Sequence, residues 1–146
     1  MERTTEIPPQ GWFNYFAGLS RRALSHPVRV EVESVQMGAQ ELVRALPLLG
    51  IDVEPRGSGL GDIEITLGDE HQDFLHRIAR PVQVYLKIDD NGDLDCLCIE
   101  DRSGTRTLLF FEKGASPPGP IRASRKRSRP RWACEPSAPP PARAPG

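Results

Sequence analysis

Residues 82–111 read VQVYLKIDDNGDLDCLCIEDRSGTRTLLFF, and this stretch decides the fold. Val82, Val84, Leu86 and Ile88 fall on one face of a strand with a period of two. Asn91-Gly92 follows, a pair that tolerates positive φ and marks a tight hairpin. A two-residue loop there sets Leu86 opposite Leu97 and Val84 opposite Ile99, so the turn chemistry and the apolar pattern agree. Ser103-Gly104 marks a second hairpin, which predicts Ile99 opposite Leu108 and Leu97 opposite Phe110. Leu109 and Phe111 then fall on the reverse face. A strand that is apolar on both faces has to be covered on both, which suits a sheet with a helix on one side.

Upstream, the period of two continues. Val28, Val30 and Val32 alternate with Arg29, Glu31 and Glu33, and Gln36 to Gly38 reads as a turn. A second strand is expected from about residue 39 to 46, with Pro47 confining it to an edge or an end. Ile51 and Val53 suggest a short third strand. Pro55 to Gly61 is a loop with three glycines, Ile63, Ile65 and Leu67 form another strand, and Phe74, His76 and Ile78 a further short one. Before all of these, Trp12, Phe16, Leu19 and Ala23 recur at helical spacing. Pro8-Pro9 starts that helix and Ser25-His26-Pro27 ends it, because the residue before proline avoids helical angles. The expected fold is α+β, with one N-terminal helix packed on a mostly antiparallel, curved sheet of six to eight strands. Strand and helix do not alternate, which argues against a doubly wound nucleotide-binding fold.

Charge divides the chain in two. Residues 1–113 hold 12 Lys and Arg against 19 Asp and Glu, which leaves −7; residues 114–146 hold 7 against one, Glu135, which leaves +6. Nine of the 15 prolines lie in the second part. Such a segment buries too little apolar surface to offset its ordering entropy, so 114–146 is expected to be a disordered tail behind a single domain at 1–113. Three readings of the tail stay open. Arg125, Lys126, Arg127, Arg129 and Arg131, followed by Trp132, form a basic arm that would attract phosphates and stack on a base. The tail could equally be a solvated linker. It could also be a shifted reading frame, because 24 of its 33 residues are Arg, Pro, Ala or Gly, all with GC-rich codons. The folded part, with its acidic strand face of Glu31, Glu33, Glu54, Asp62 and Glu64, would repel nucleic acid.

Short motifs then carry a resemblance. Leu46-Pro47-Leu48-Leu49-Gly50-Ile51, Gly61-Asp62-Ile63-Glu64-Ile65, and His76-Arg77-Ile78 with Pro81 and Val84 are followed by Leu97-Cys98-Ile99-Glu100 with Gly104-Thr105 and Leu108-Leu109. Together with an opening Glu6-Ile7-Pro8 and Trp12, they resemble a family of small bacterial proteins known only as a domain of unknown function. The similarity covers about residues 4 to 112 and stops where the tail begins. It implies a bacterial source and a single domain. It brings no activity, cofactor or catalytic residue with it.

The residues themselves assemble no catalytic set. Asp89, Asn91, Asp93, Asp95 and Glu100 match a calcium-loop count, but the sixth position, where such a loop needs glycine, is Leu94. Cys96 and Cys98 share one strand face, a spacing that rarely closes a disulfide. Zinc would need two more ligands, for which His71 and His76 are the nearby candidates without a paired C-x-x-C spacing. A redox role through Cys134 in the tail stays open. Ser58, in Gly57-Ser58-Gly59-Leu60-Gly61, lacks the strand-to-helix flanks of a nucleophile elbow, and the loop lacks the lysine of a phosphate cradle. His26 reads as an end-cap. No cofactor, metal or catalytic residue is assigned. His76 and Arg80 are the candidate ligand-binding residues.

Three functions follow as expectations. The first is a non-enzymatic binding or accessory domain for a protein or small ligand, working through an apolar patch or groove beside an open sheet edge. The second is a nucleic-acid-associated protein acting through the tail. The third is a small hydrolase or isomerase with a site around Asp73, His76 and Arg80. A protein partner or a second copy of the chain is the expected type of partner. No run approaches the ~18 apolar residues of a spanning helix, so no membrane partner is expected. The charged, proline-containing start predicts no secretory signal, and with three cysteines this fits a reducing cytoplasm.

Overall fold

The computed structural model describes residues 2–115. Strand β1 (Arg3–Ile7) leads into a 3-10 turn (Pro9–Gly11) and helix α1 (Trp12–Arg22). Seven further strands follow: β2 (Pro27–Ser34), β3 (Gly38–Val53), β4 (Ile63–Gly68), β5 (Asp73–Ile78), β6 (Pro81–Ile88), β7 (Leu94–Asp101) and β8 (Arg106–Ala115). They form one open antiparallel sheet in the order β1-β6-β7-β8-β2-β3-β4-β5. The α+β expectation of one helix on a six- to eight-stranded sheet is borne out.

The helix lies where its apolar spacing requires. Trp12, Tyr15, Phe16, Leu19 and Ala23 are buried in the main core, together with Val28, Leu48, Ile63, Leu97 and Leu109 from the strands. Two polar contacts fix its position. The Trp12 indole Nε1 donates to the Ile7 carbonyl at 2.8 Å, and Ser20 Oγ accepts from the Ile51 amide at 2.9 Å. Ser25, at φ 69, then turns the chain into β2 ahead of Pro27. The His26 ring reaches the Glu112 carbonyl of β8.

Pro47 does not end a strand. It sits in the middle of the 16-residue β3, which replaces the two separate strands expected over this region. The first half of β3 pairs with β2 and the second half with β4, with register shifts on both ladders near the change of partner. Pro47 faces Pro27 there, so the missing amide falls where a ladder ends. The change of partner lets the β4–β5 end curve over the rest of the sheet, and one continuous core results.

The hairpin after β6 has the expected body register, with Leu86 opposite Leu97 and Val84 opposite Ile99. The hairpin after β7 is one residue away from expectation. Leu97 faces Leu109, Ile99 faces Thr107 and Cys98 faces Leu108. Leu109 and Phe111 therefore join the main core, while Leu108 and Phe110 join Tyr85, Cys96 and Cys98 in a second cluster on the outward side. Strand β1 was not expected. It is short and polar, and only Ile7 is buried. The expected boundary at Lys113-Gly114 lies inside β8. The tail residues Arg125, Lys126, Arg127, Arg129, Arg131, Trp132 and Cys134 lie outside the described residues.

Candidate functional site

The outward side of the β3–β5 end carries a groove of about 250 Å³. Period-two alternation builds its floor. Asp52 of β3 faces Glu64 of β4, and Glu64 faces Arg77 of β5, so acid, acid and base form one row across three strands. The loop joining β3 to β4 adds Glu54 and Asp62. Phe13 of α1, with Val53 and Pro55, supplies the apolar wall.

Arg77 organises these acids. Its Nη1 donates to Glu64 at 2.7 Å and its Nε to Asp62 at 3.4 Å, and Nη2 lies 3.9 Å from Glu54. The Arg77 side chain is 42% exposed, so the pairs order the groove more than they stabilise the fold. Four carboxylates against one guanidinium leave the groove formally at −3. The loop closes tightly over it, because a Cβ on Gly59 would sit 2.6 Å from Arg77 Nη2. Only a residue without a side chain fits that approach with Arg77 in place. The neighbouring row is uncharged. Leu75 of β5 faces Thr66, and Thr66 faces Gly50 beside exposed Leu49. Phe13, Leu60 and Leu75 are each at least 60% exposed, so the groove has apolar shoulders.

The chemistry available here is recognition of positive charge. Carboxylates, one guanidinium and an exposed phenyl ring suit a lysine or arginine side chain.

The residues singled out from the sequence do not converge. His76 points inward from β5. It is half-buried and stacked on Phe74, and its Nε2 lies 3.3 Å from Thr107 Oγ1. Burial pushes its imidazole below the ordinary histidine range. Arg80 is exposed in the β5–β6 turn at φ 55, where its amide donates to Asp62 Oδ1 at 3.1 Å and its carbonyl accepts from Arg102. Asp73 starts β5 on the outward side, opposite Gly68. None of the three lines the groove. The arrangement of Asp73, His76 and Arg80 posited for a hydrolase or isomerase is therefore not brought together. Ser58 is exposed in the loop.

The calcium-loop count resolves into a hairpin. Asp89 Oδ1 accepts the Asn91 and Asp93 amides at 2.8 and 3.0 Å, so it serves the turn itself. Asp95 sits where the β6–β7 register shifts, and burial raises its carboxyl above the usual range. Cys96 and Cys98 are fully buried.

The sequence pattern places Glu54, Asp62 and Glu64 on an outward acidic strand face; Glu64 lies on β4, while Glu54 and Asp62 stand in the loop between β3 and β4. Sequence reasoning missed Arg77, Asp52 and Phe13. The missed signal was parity, because Arg77 alternates outward with Leu75 just as Glu64 alternates with Ile63 and Ile65.

Among the described residues, no helix is long and apolar enough to cross a membrane. No solved structure matches the chain significantly. An uncharacterised protein of Aquifex aeolicus (strain VF5) is 31% identical over 106 residues, covering 73% of this chain and 89% of its own length. The family resemblance read from the short motifs holds: residues 3–120 match the profile of the family of unknown function DUF5335, and the chain belongs to that family.

Proposed function

We propose that this chain is a non-enzymatic accessory domain that binds a basic, partly apolar segment of another protein in the groove around Arg77. One observation carries the reading. The Asp52–Glu64–Arg77 row, with Glu54 and Asp62 beside it, lies next to the open edge of β5 and below exposed Phe13. An open edge offers backbone groups to an extended peptide, and alternate side chains of that peptide then reach the groove. A second inference concerns location. A chain with only three cysteines supports a reducing compartment such as the cytoplasm, and the Aquifex relative supports a bacterial source.

The test is an NMR titration of the full chain with two synthetic octapeptides, one alternating lysine with leucine and one alternating glutamate with leucine. The lysine peptide is expected to shift the amides of Phe13, Glu54 and Arg77 saturably, and the glutamate peptide to leave them unmoved. Phe13→Ala, at an exposed position, should weaken binding several-fold without lowering stability. Equal responses to both peptides, or no response to either, would remove the reading.

A further inference from the structure

We propose that His76 is a proton-operated latch that ties the edge strand β5 to β8 across the interior of the curved sheet. The proposal is independent of the groove and of what the groove binds. Among the described residues, strand β5 is the last in the sheet and has only β4 as a ladder neighbour. Strand β8 lies four places away in that order, so the His76–Thr107 contact at 3.3 Å runs across the concave side and not along a ladder. Thr107 is 2% exposed, on the inward side of β8 between Ile99 of β7 and Val32 of β2. The imidazole faces Ile65 of β4 and lies parallel to the Phe74 ring, with centroids 6.2 Å apart.

These surroundings suit a neutral ring. Among the side chains described, the charged ones on the elements packed against it are Glu64 of β4, Asp73 and Arg77 of β5, and Arg106 and Glu112 of β8, and all alternate to the outward side. Glu64 pairs there with Arg77, and Arg106 with Glu33 of β2. Among the described residues, no carboxylate faces the imidazole to welcome a proton, and burial lowers its proton affinity. Protonation therefore places a charge against apolar side chains and one hydroxyl, and it is relieved when β5 lifts away and the ring reaches water. The sign follows from linkage. The open form binds the proton more tightly than the closed form. Closure is thus fully favoured above the ordinary histidine pKa and weakens as pH falls through that range towards the lower folded value.

The experiment is hydrogen exchange on the full chain, read by mass spectrometry at about pH 7.5 and about pH 5 and corrected for intrinsic rates. Protection of β5 should fall at least about threefold more than protection of β7 on acidification. His76→Gln, which keeps a hydrogen-bonding group but does not titrate, should abolish that difference, while His26→Gln and His71→Gln should leave it. Should His76→Gln fail to fold, the imidazole resonances of the wild-type chain decide. Titration of His76 below the ordinary histidine range, in step with β5 opening, supports the latch. Parallel loss of protection in β5 and β7, persistence of the difference in His76→Gln, or an ordinary His76 titration overturns it.

Discussion

The Tyr15 hydroxyl is buried on the inner face of α1 with no hydrogen-bond partner among the described residues, and burial pushes its ionisation well above the usual tyrosine range. An unsatisfied buried donor costs about 1–3 kcal/mol. Tyr15→Phe keeps the ring and removes the orphan, so it should stabilise the fold by about 1 kcal/mol in urea unfolding. Loss of stability instead would mean that the hydroxyl is satisfied. Glu100 shows the same imbalance in a carboxylate. Its Oε1 is buried and unpartnered, and burial raises its pKa despite the opposing pull of Arg106. A folded-state pKa above the unfolded one adds stability below the ordinary glutamate range, and that stability is lost as pH rises through the raised value. Glu100→Gln should therefore raise the melting temperature at pH 7 and flatten its dependence on pH between about 4 and 7. An unchanged pH profile would show that Glu100 is solvated. Neither orphan was legible in the sequence, because satisfaction of a polar group depends on what packs against it.

At the scale of elements, the two C-terminal hairpins share one device. In Asp89-Asp90-Asn91-Gly92-Asp93 and Asp101-Arg102-Ser103-Gly104-Thr105, the first aspartate accepts backbone amides through Oδ1, and the glycine stands at φ 87 or 91. The Asp89 amide reaches the Asp93 carbonyl, and the Asp101 amide the Thr105 carbonyl, at 2.8 and 2.9 Å. These are three-residue loops with a left-handed glycine, not two-residue ones. After the first, an irregularity near Asp95 absorbs the difference, so the expected pairing survives. The second hairpin has no such correction next to its turn, so β8 slips by one residue and its faces exchange. The signal was present as D-x-x-G at two places, but an aspartate-capped turn outweighed the dipeptide that was read. Gly104→Ala should cost about 1–2 kcal/mol in chemical denaturation, because an L side chain resists that backbone angle. A negligible cost would mean that the turn relaxes to another type.

At the scale of the molecule, the outward cluster around Cys96 and Cys98 makes the sheet apolar on both sides at β7. Both thiols should resist Ellman's reagent in the native chain and react only on unfolding, as followed by peptide mapping. Rapid native labelling at either would show that the outward cluster opens. The sequence by itself determined the helix stripe, the strands that alternate with a period of two, the antiparallel class and the family, because these depend on spacing along the chain and on local turn chemistry. The tertiary structure alone decided that Pro47 sits mid-strand, that β1 joins β6, that Arg77 gathers three acids while His76 turns inward, and that β5 meets β8 across the core. Those outcomes depend on which strand lies beside which after the sheet has curved, and a proline facing a ladder's end or a histidine facing a threonine 31 residues away leaves no mark on local periodicity.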